Sequence, residues 1–119
     1  MRHKQIIVGV VLLLLVIGAS WYFFVPRAEP GAAALAECLR DKGVTMYGSA
    51  TCIHCLKQKK LFGSAFSLVP YVECPDNPQM CLAKGIQGFP TWVMPDGRKL
   101  EGEQSFAALS SASGCTLPQ

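Results

Sequence analysis

Net charge is what this chain has least of. Its 11 basic and 8 acidic residues leave a formal charge of +3, and without Arg2 and Lys4 at the N-terminus nine basic residues face eight acidic ones. So even a balance carries no electrostatic footprint for nucleic acid. Beyond an alanine-rich stretch starting at Ala32 there is no internal repeat or low-complexity tract, which excludes a stacked-repeat architecture. Histidine is scarce, with only His3, in a flank without evident chemistry, and His54.

Charge is missing altogether from residues 6–25, an apolar run ending in Trp21, Tyr22, Phe23, Phe24 and Val25. About 20 apolar residues are enough for a helix to cross a hydrocarbon core of about 30 Å. Residues 6–25 therefore read as a transmembrane signal-anchor. Arg2 and Lys4 before it and the aromatic pair at its far end place residues 1–5 in the cytoplasm and the remainder outside. A cleaved signal peptide, with Ile17-Gly18-Ala19 as its cleavage site, is the alternative. The run exceeds the usual signal core of roughly 7 to 15 residues, and either reading exports the C-terminal part of the chain.

In a chain of 119 residues, the part beyond the apolar run amounts to one small domain. Pro26, Pro30 and Gly31 make residues 26–31 a spacer, and residues 32–119 form the domain. It holds all six cysteines, Cys38, Cys52, Cys55, Cys74, Cys81 and Cys115, and an oxidising compartment makes them disulfide formers. If Cys52 and Cys55 pair, the other four allow three arrangements. The preferred one joins Cys74 to Cys81 locally and Cys38 to Cys115 across a long loop, where a small core gains most from a staple. A Cys38–Cys74 link would overturn it.

The elements alternate. Ala32 to Lys42 reads as a helix closed by Gly43, and Val44 to Gly48 as a strand. The next helix carries Leu56, Leu61 and Phe62 inward and Lys57, Lys59 and Lys60 mostly outward. Leu68 to Glu73 is a strand with Pro70 at an edge or early position, and Gln79 to Lys84 a short helix. Phe89 to Met94 is a strand, turned by Pro95-Asp96-Gly97-Arg98 into a last strand at Lys99 to Gly102. Ser105 caps a final helix. Strands separated by helices argue for parallel pairing, with an antiparallel closing hairpin. Trp92 and Phe66 are expected in the core.

Chemistry concentrates at Cys52-Ile53-His54-Cys55, where the first strand gives way to a helix. Unpaired N–H groups and the positive end of the helix dipole stabilise a Cys52 thiolate there, the reactive form. Cys55 then stands ready to resolve a mixed disulfide. Zinc held by Cys52, Cys55, Cys74 and Cys81 is the bland alternative, but the Cys74–Cys81 spacing is wide for a zinc knuckle.

Together with Gly88-Phe89-Pro90-Thr91, the motif resembles a thioredoxin-like domain. The likeness implies an α/β minimal thioredoxin-like fold, a central mixed sheet of about four strands flanked by helices. It further implies a cis Pro90 against the cysteine pair and a Phe89 backbone that binds extended substrate. Met46-Tyr47-Gly48, Lys57 to Gly63, Val69 to Cys74, Gly85 to Trp92 and Gly102-Glu103-Gln104 resemble the thioredoxin-like domains that work with vitamin K epoxide reductase homologues. Those domains pass disulfides between a membrane enzyme and exported proteins, and the likeness gives Cys74 and Cys81 a relay role as the alternative to a structural staple. The chain departs from many relatives at Ile53, where they carry proline. Met46 stands where thioredoxin reductants bury a carboxylate, and His54 is shared with periplasmic oxidants.

The expected activity is a thiol–disulfide oxidoreductase without cofactor or metal, Cys52 the nucleophile, Cys55 the resolving thiol, His54 tuning the pair, and Phe89 and Pro90 presenting substrate. Its partners would be exported thiols and disulfides and a quinone-linked, vitamin K epoxide reductase-like membrane enzyme. Its place would be a cell membrane, with the domain in the periplasm or, in a plastid or cyanobacterium, the lumen. A reductase or isomerase of the same fold and a copper or zinc carrier using Cys52, His54 and Cys55 are the alternatives.

Overall fold

A computed structural model describes residues 1–24 and 28–118. Val25 of the expected span, Pro26 and Arg27 of the expected spacer, and Gln119 lie outside the described residues. The first helix, α1 (Arg2–Phe24), is 23 residues long and has no buried residue. It covers about 34 Å at the helical rise, long and apolar enough to cross a membrane. It starts four residues ahead of the apolar run because nothing in Arg2 to Gln5 breaks a helix.

The domain begins with α2 (Ala32–Asp41) and continues through β1 (Thr45–Gly48), α3 (Ile53–Phe62), β2 (Tyr71–Glu73), α4 (Pro78–Ala83), β3 (Thr91–Val93), β4 (Lys99–Glu101) and α5 (Phe106–Ser113). Gly43, at φ 75°, adopts the left-handed conformation just past α2 that lets the chain reverse there without steric cost. Ser105 Oγ accepts the Ala108 N–H at 3.1 Å and caps α5.

The sheet order is β2-β1-β3-β4. β1 and β2 run parallel, Met46 opposite Tyr71, because α3 and a 3-10 segment over Gly63–Leu68 carry the chain back along the sheet. β3 lies antiparallel to β1, Met46 opposite Trp92, against the expectation that a helix between strands implies parallel pairing. An antiparallel β3 starts at the end of the sheet where β2 stops, so the six residues of α4 need not traverse it. The hairpin from β3 to β4 is antiparallel, turned through Gly97, whose N–H donates to the Met94 carbonyl at 2.9 Å.

Both sheet faces are covered. On one, Leu35, Leu39, Val44, Met46, Phe62, Trp92 and Leu109 are fully buried, with the Phe62 ring 4.7 Å from Phe106 and 5.9 Å from Trp92. Phe66 packs at its margin. On the other, Tyr47 and Val93 meet Cys74 and Cys81, as the period of two along a strand requires. Two expectations fail. Leu68 belongs to the 3-10 segment, so β2 is shorter than expected, and Leu56 is 49% exposed. The inward stripe of α3 is Cys55, Gln58 and Phe62, a three-and-four spacing that leaves Leu56 beside it.

Disulfides join Cys38 to Cys115 and Cys74 to Cys81. The first ties α2 to the segment after α5 across a separation of 77 residues. A chain-entropy account attributes about 4 kcal/mol to closing so long a loop. Replacing both residues, Cys38→Ser with Cys115→Ser, is expected to lower the unfolding free energy by about 2 to 4 kcal/mol in urea denaturation, and an unchanged midpoint would contradict it.

Candidate active site

The chain leaves the sheet at Gly48, turns through Ser49-Ala50-Thr51, and enters α3 with Cys52 as its N-cap, at φ −82° and ψ 120°. Ser49 Oγ and Thr51 Oγ1 lie 3.1 Å apart, and the Ser49 carbonyl accepts the Cys52 N–H at 3.2 Å, which closes the turn. Cys52 Sγ accepts the Cys55 N–H at 3.4 Å. A sulfur thus occupies the place where a serine or aspartate oxygen would ordinarily cap a helix.

Cys52 and Cys55 are both thiols, the first partly exposed and the second buried. Burial pushes the Cys52 thiol up, but hydrogen bonds from the Cys55 N–H, the Cys55 thiol and the His54 N–H outweigh it and leave its pKa lowered. Burial dominates at Cys55, which is pushed up to about 11. One sulfur is therefore disposed to be thiolate and the other to keep its proton. Gly48 permits this packing, since a Cβ there would sit 2.8 Å from Cys55 Sγ and 3.3 Å from the Tyr71 ring.

The Phe89–Pro90 peptide bond is cis, and the Phe89 carbonyl accepts the Cys52 thiol at 3.7 Å. Pro90 is buried, whereas Phe89, Ile53 and Leu56 are exposed apolar side chains. Ile53 follows Cys52 in the chain, Phe89 meets it through its carbonyl, and Leu56, an expected core residue, lies one helical turn on, so the three make an exposed apolar rim at this end of α3.

His54 lies in the first turn of α3. Its Nδ1 stands 2.6 Å from Glu103 Oε1, and its backbone N–H favours the Cys52 thiolate. Gln58, fully buried, accepts the Gln104 N–H at 2.6 Å and the Trp92 indole N–H at 3.4 Å on Oε1, and donates to the Gln104 carbonyl at 3.0 Å. From β2, the Tyr71 hydroxyl donates to Glu73 Oε2 at 2.5 Å, and Glu73 Oε1 accepts the Ala50 N–H at 2.8 Å. The Tyr71 bond holds the Glu73 carboxyl below its ordinary range, and burial, followed by that carboxylate, raises the Tyr71 hydroxyl. Lys59 Nζ lies 3.8 Å from the Tyr71 ring centroid.

Sequence reasoning missed Gln58, Tyr71, Glu73 and Glu103 as parts of the site. Gln58 carried a signal, being a polar residue three positions after Cys55 and four before Phe62 on the inward stripe. Nothing local marks Glu103, which the fold brings to His54 across 49 positions.

No family model matches the chain. Over 101 residues it is 41% identical to the thiol-disulfide oxidoreductase LTO1 of Arabidopsis thaliana, covering 77% of this chain and 27% of that protein. The chain thus spans about a quarter of that relative's length. An N-terminal domain of the alkylhydroperoxide reductase AhpF from Enterococcus faecalis aligns with a TM-score of 0.47 and 17% identity, over 67% of this chain and 42% of that one. The mixed four-stranded sheet with flanking helices is the architecture expected from the sequence.

Met46, at the position where the resemblance leads one to look for a carboxylate, is fully buried, so no acid stands there. Cys74 and Cys81 are 5% and 6% exposed and belong to the cluster around Tyr47 and Val93, apart from Cys52 and Cys55. Bonded to each other, they leave only Cys52 and Cys55 of a four-cysteine zinc set as thiols.

Two outcomes are expected. Iodoacetamide at about pH 7.5 should modify Cys52 and spare Cys55 in the reduced chain, because only a thiolate reacts at an appreciable rate. Peptide mapping reads this, and equal labelling would contradict it. Gly48→Ala should cost about 1 to 3 kcal/mol through overpacking against Cys55, measured by thermal or urea unfolding.

Proposed function

We propose that this chain is a membrane-anchored thiol–disulfide oxidoreductase that oxidises, or relays disulfides into, exported proteins. A quinone-linked membrane enzyme of the vitamin K epoxide reductase-like kind recharges it. The observation that carries the exchange chemistry is the placement of two neighbouring thiols, Cys52 partly exposed as the N-cap of α3 and Cys55 buried three residues on, with the first pKa lowered and the second raised. The activity for which the Arabidopsis relative is named agrees with it, and α1 supplies an anchor of sufficient length. The outward orientation follows from Arg2 and Lys4 ahead of the span.

In the oxidising direction a substrate thiolate attacks Cys52 Sγ of the Cys52–Cys55 disulfide. That bond breaks, and Cys55 leaves with the electron pair and takes up a proton, as its raised pKa favours. A second substrate thiolate attacks the substrate sulfur of the mixed disulfide, and Cys52 leaves as the stabilised thiolate. The substrate has lost two electrons and the pair has gained them. The Phe89 carbonyl and the rim of Ile53, Leu56 and Phe89 would hold an extended segment beside the sulfur while this occurs.

Offered a disulfide-bonded substrate, the Cys55→Ser chain in detergent should accumulate a mixed disulfide, the Cys52 thiolate attacking the substrate disulfide and releasing one substrate thiol, and Cys52→Ser should form none. Accumulation through any other cysteine would overturn the assignment of roles. The reduction potential of the wild-type pair against glutathione decides direction. A value near or above about −180 mV supports the disulfide donor, and one near about −270 mV the reductase.

A further inference from the structure

We propose that Glu103 sets the oxidising power of the Cys52–Cys55 pair by holding His54, and is a positioning residue for the exchange reaction. The inference rests on the proposed oxidoreductase function. An imidazolium in the first turn of α3 would add positive charge beside the Cys52 thiolate and favour the reduced state. Here the ring nitrogen Nδ1 lies 2.6 Å from a carboxylate oxygen. A protonated ring paired in this way would bring, with its carboxylate, no net charge to the sulfur. The Glu103 carboxylate also acts on Cys52 directly, in the direction that disfavours thiolate. The carboxylate thus offsets positive charge on the His54 ring.

The carboxylate is held in place on both sides. Before it, the Gly102 N–H donates to the Pro90 carbonyl at 2.8 Å. After it, the Gln104 backbone is gripped by the buried Gln58 amide through its N–H at 2.6 Å and its carbonyl at 3.0 Å. Gln58 shares α3 with the cysteines, three positions beyond Cys55. The loop carrying Glu103 is therefore fastened to the active-site helix and to the proline beside Cys52. An exposed loop that merely passed nearby would need neither bond. The other titratable groups acting on Cys52 and Cys55 are the two thiols themselves, Lys59 on the same helix, and Tyr71 from β2 with Glu73 behind it.

The full-length chain in detergent tests this, equilibrated in glutathione buffers at about pH 7 as wild type, Glu103→Gln, His54→Ala and the double variant, with Cys52 ionisation followed by thiolate absorbance. Glu103→Gln should shift the equilibrium about threefold towards the reduced pair, within what one exposed charge pair contributes, and move Cys52 ionisation to lower pH. In the His54→Ala background the shift should be smaller, leaving only the direct action of the carboxylate on Cys52. Glu103→Asp should restore wild-type behaviour in part. No shift in Glu103→Gln, or a shift of equal size with and without His54, overturns the proposal while leaving the oxidoreductase reading intact. A wild-type chain with no glutathione-exchangeable pair at Cys52 and Cys55 overturns both.

Discussion

Everything in this domain depends on how one face of α3 meets the sheet. Cys55, Gln58 and Phe62 form that face, and each secures a different part. Cys55 packs at the glycine that ends β1. Gln58 binds the β3 indole and the loop after β4 through one amide. Phe62 lies against Trp92 and Phe106. The N-terminus of the helix is thereby held rigid beside Pro90, which is itself bonded to Gly102. Without that packing Cys52 would be an ordinary surface thiol.

The two thiols are neighbours in sequence and opposites in environment. A helix start offers N–H groups to whatever occupies its cap, so the sulfur at position 52 is favoured as an anion. Three residues on, the same helix turns its side chain into the core, where desolvation disfavours an anion. The difference comes from a rotation about the helix axis, and it separates an attacking sulfur from a resolving one. The Tyr71–Glu73 pair fastens the loop ahead of Cys52 from the other side, so the reactive turn is held by both β2 and the loop after β4.

Much of this is legible in the sequence. The apolar run of residues 6–25 announces its helix by length and absence of charge, and Gly43, Ser105 and Pro95 to Arg98 mark ends and turns by local chemistry. The strand-to-helix placement of Cys52 and Cys55 needs no long-range information. Leu56 misleads because its side depends on where α3 touches the sheet, and the buried stripe starts one residue earlier, at Cys55. The antiparallel β3 escapes a sequence reading because a short helix between strands does not reveal whether the chain crosses the sheet or stays at one end.

The sequence by itself determined the class of chemistry, since two cysteines flanking two residues at a helix start are sufficient for exchange. It also determined the apolar helix and the order of the elements, which rest on local hydrogen bonding and on the spacing of apolar side chains. Only the tertiary structure decided which sulfur is buried, where the Phe89 carbonyl stands, and that the His54 ring meets Glu103. Those outcomes are contacts between residues tens of positions apart, and the free energy that selects them comes from burying α3 against a sheet that local sequence cannot see.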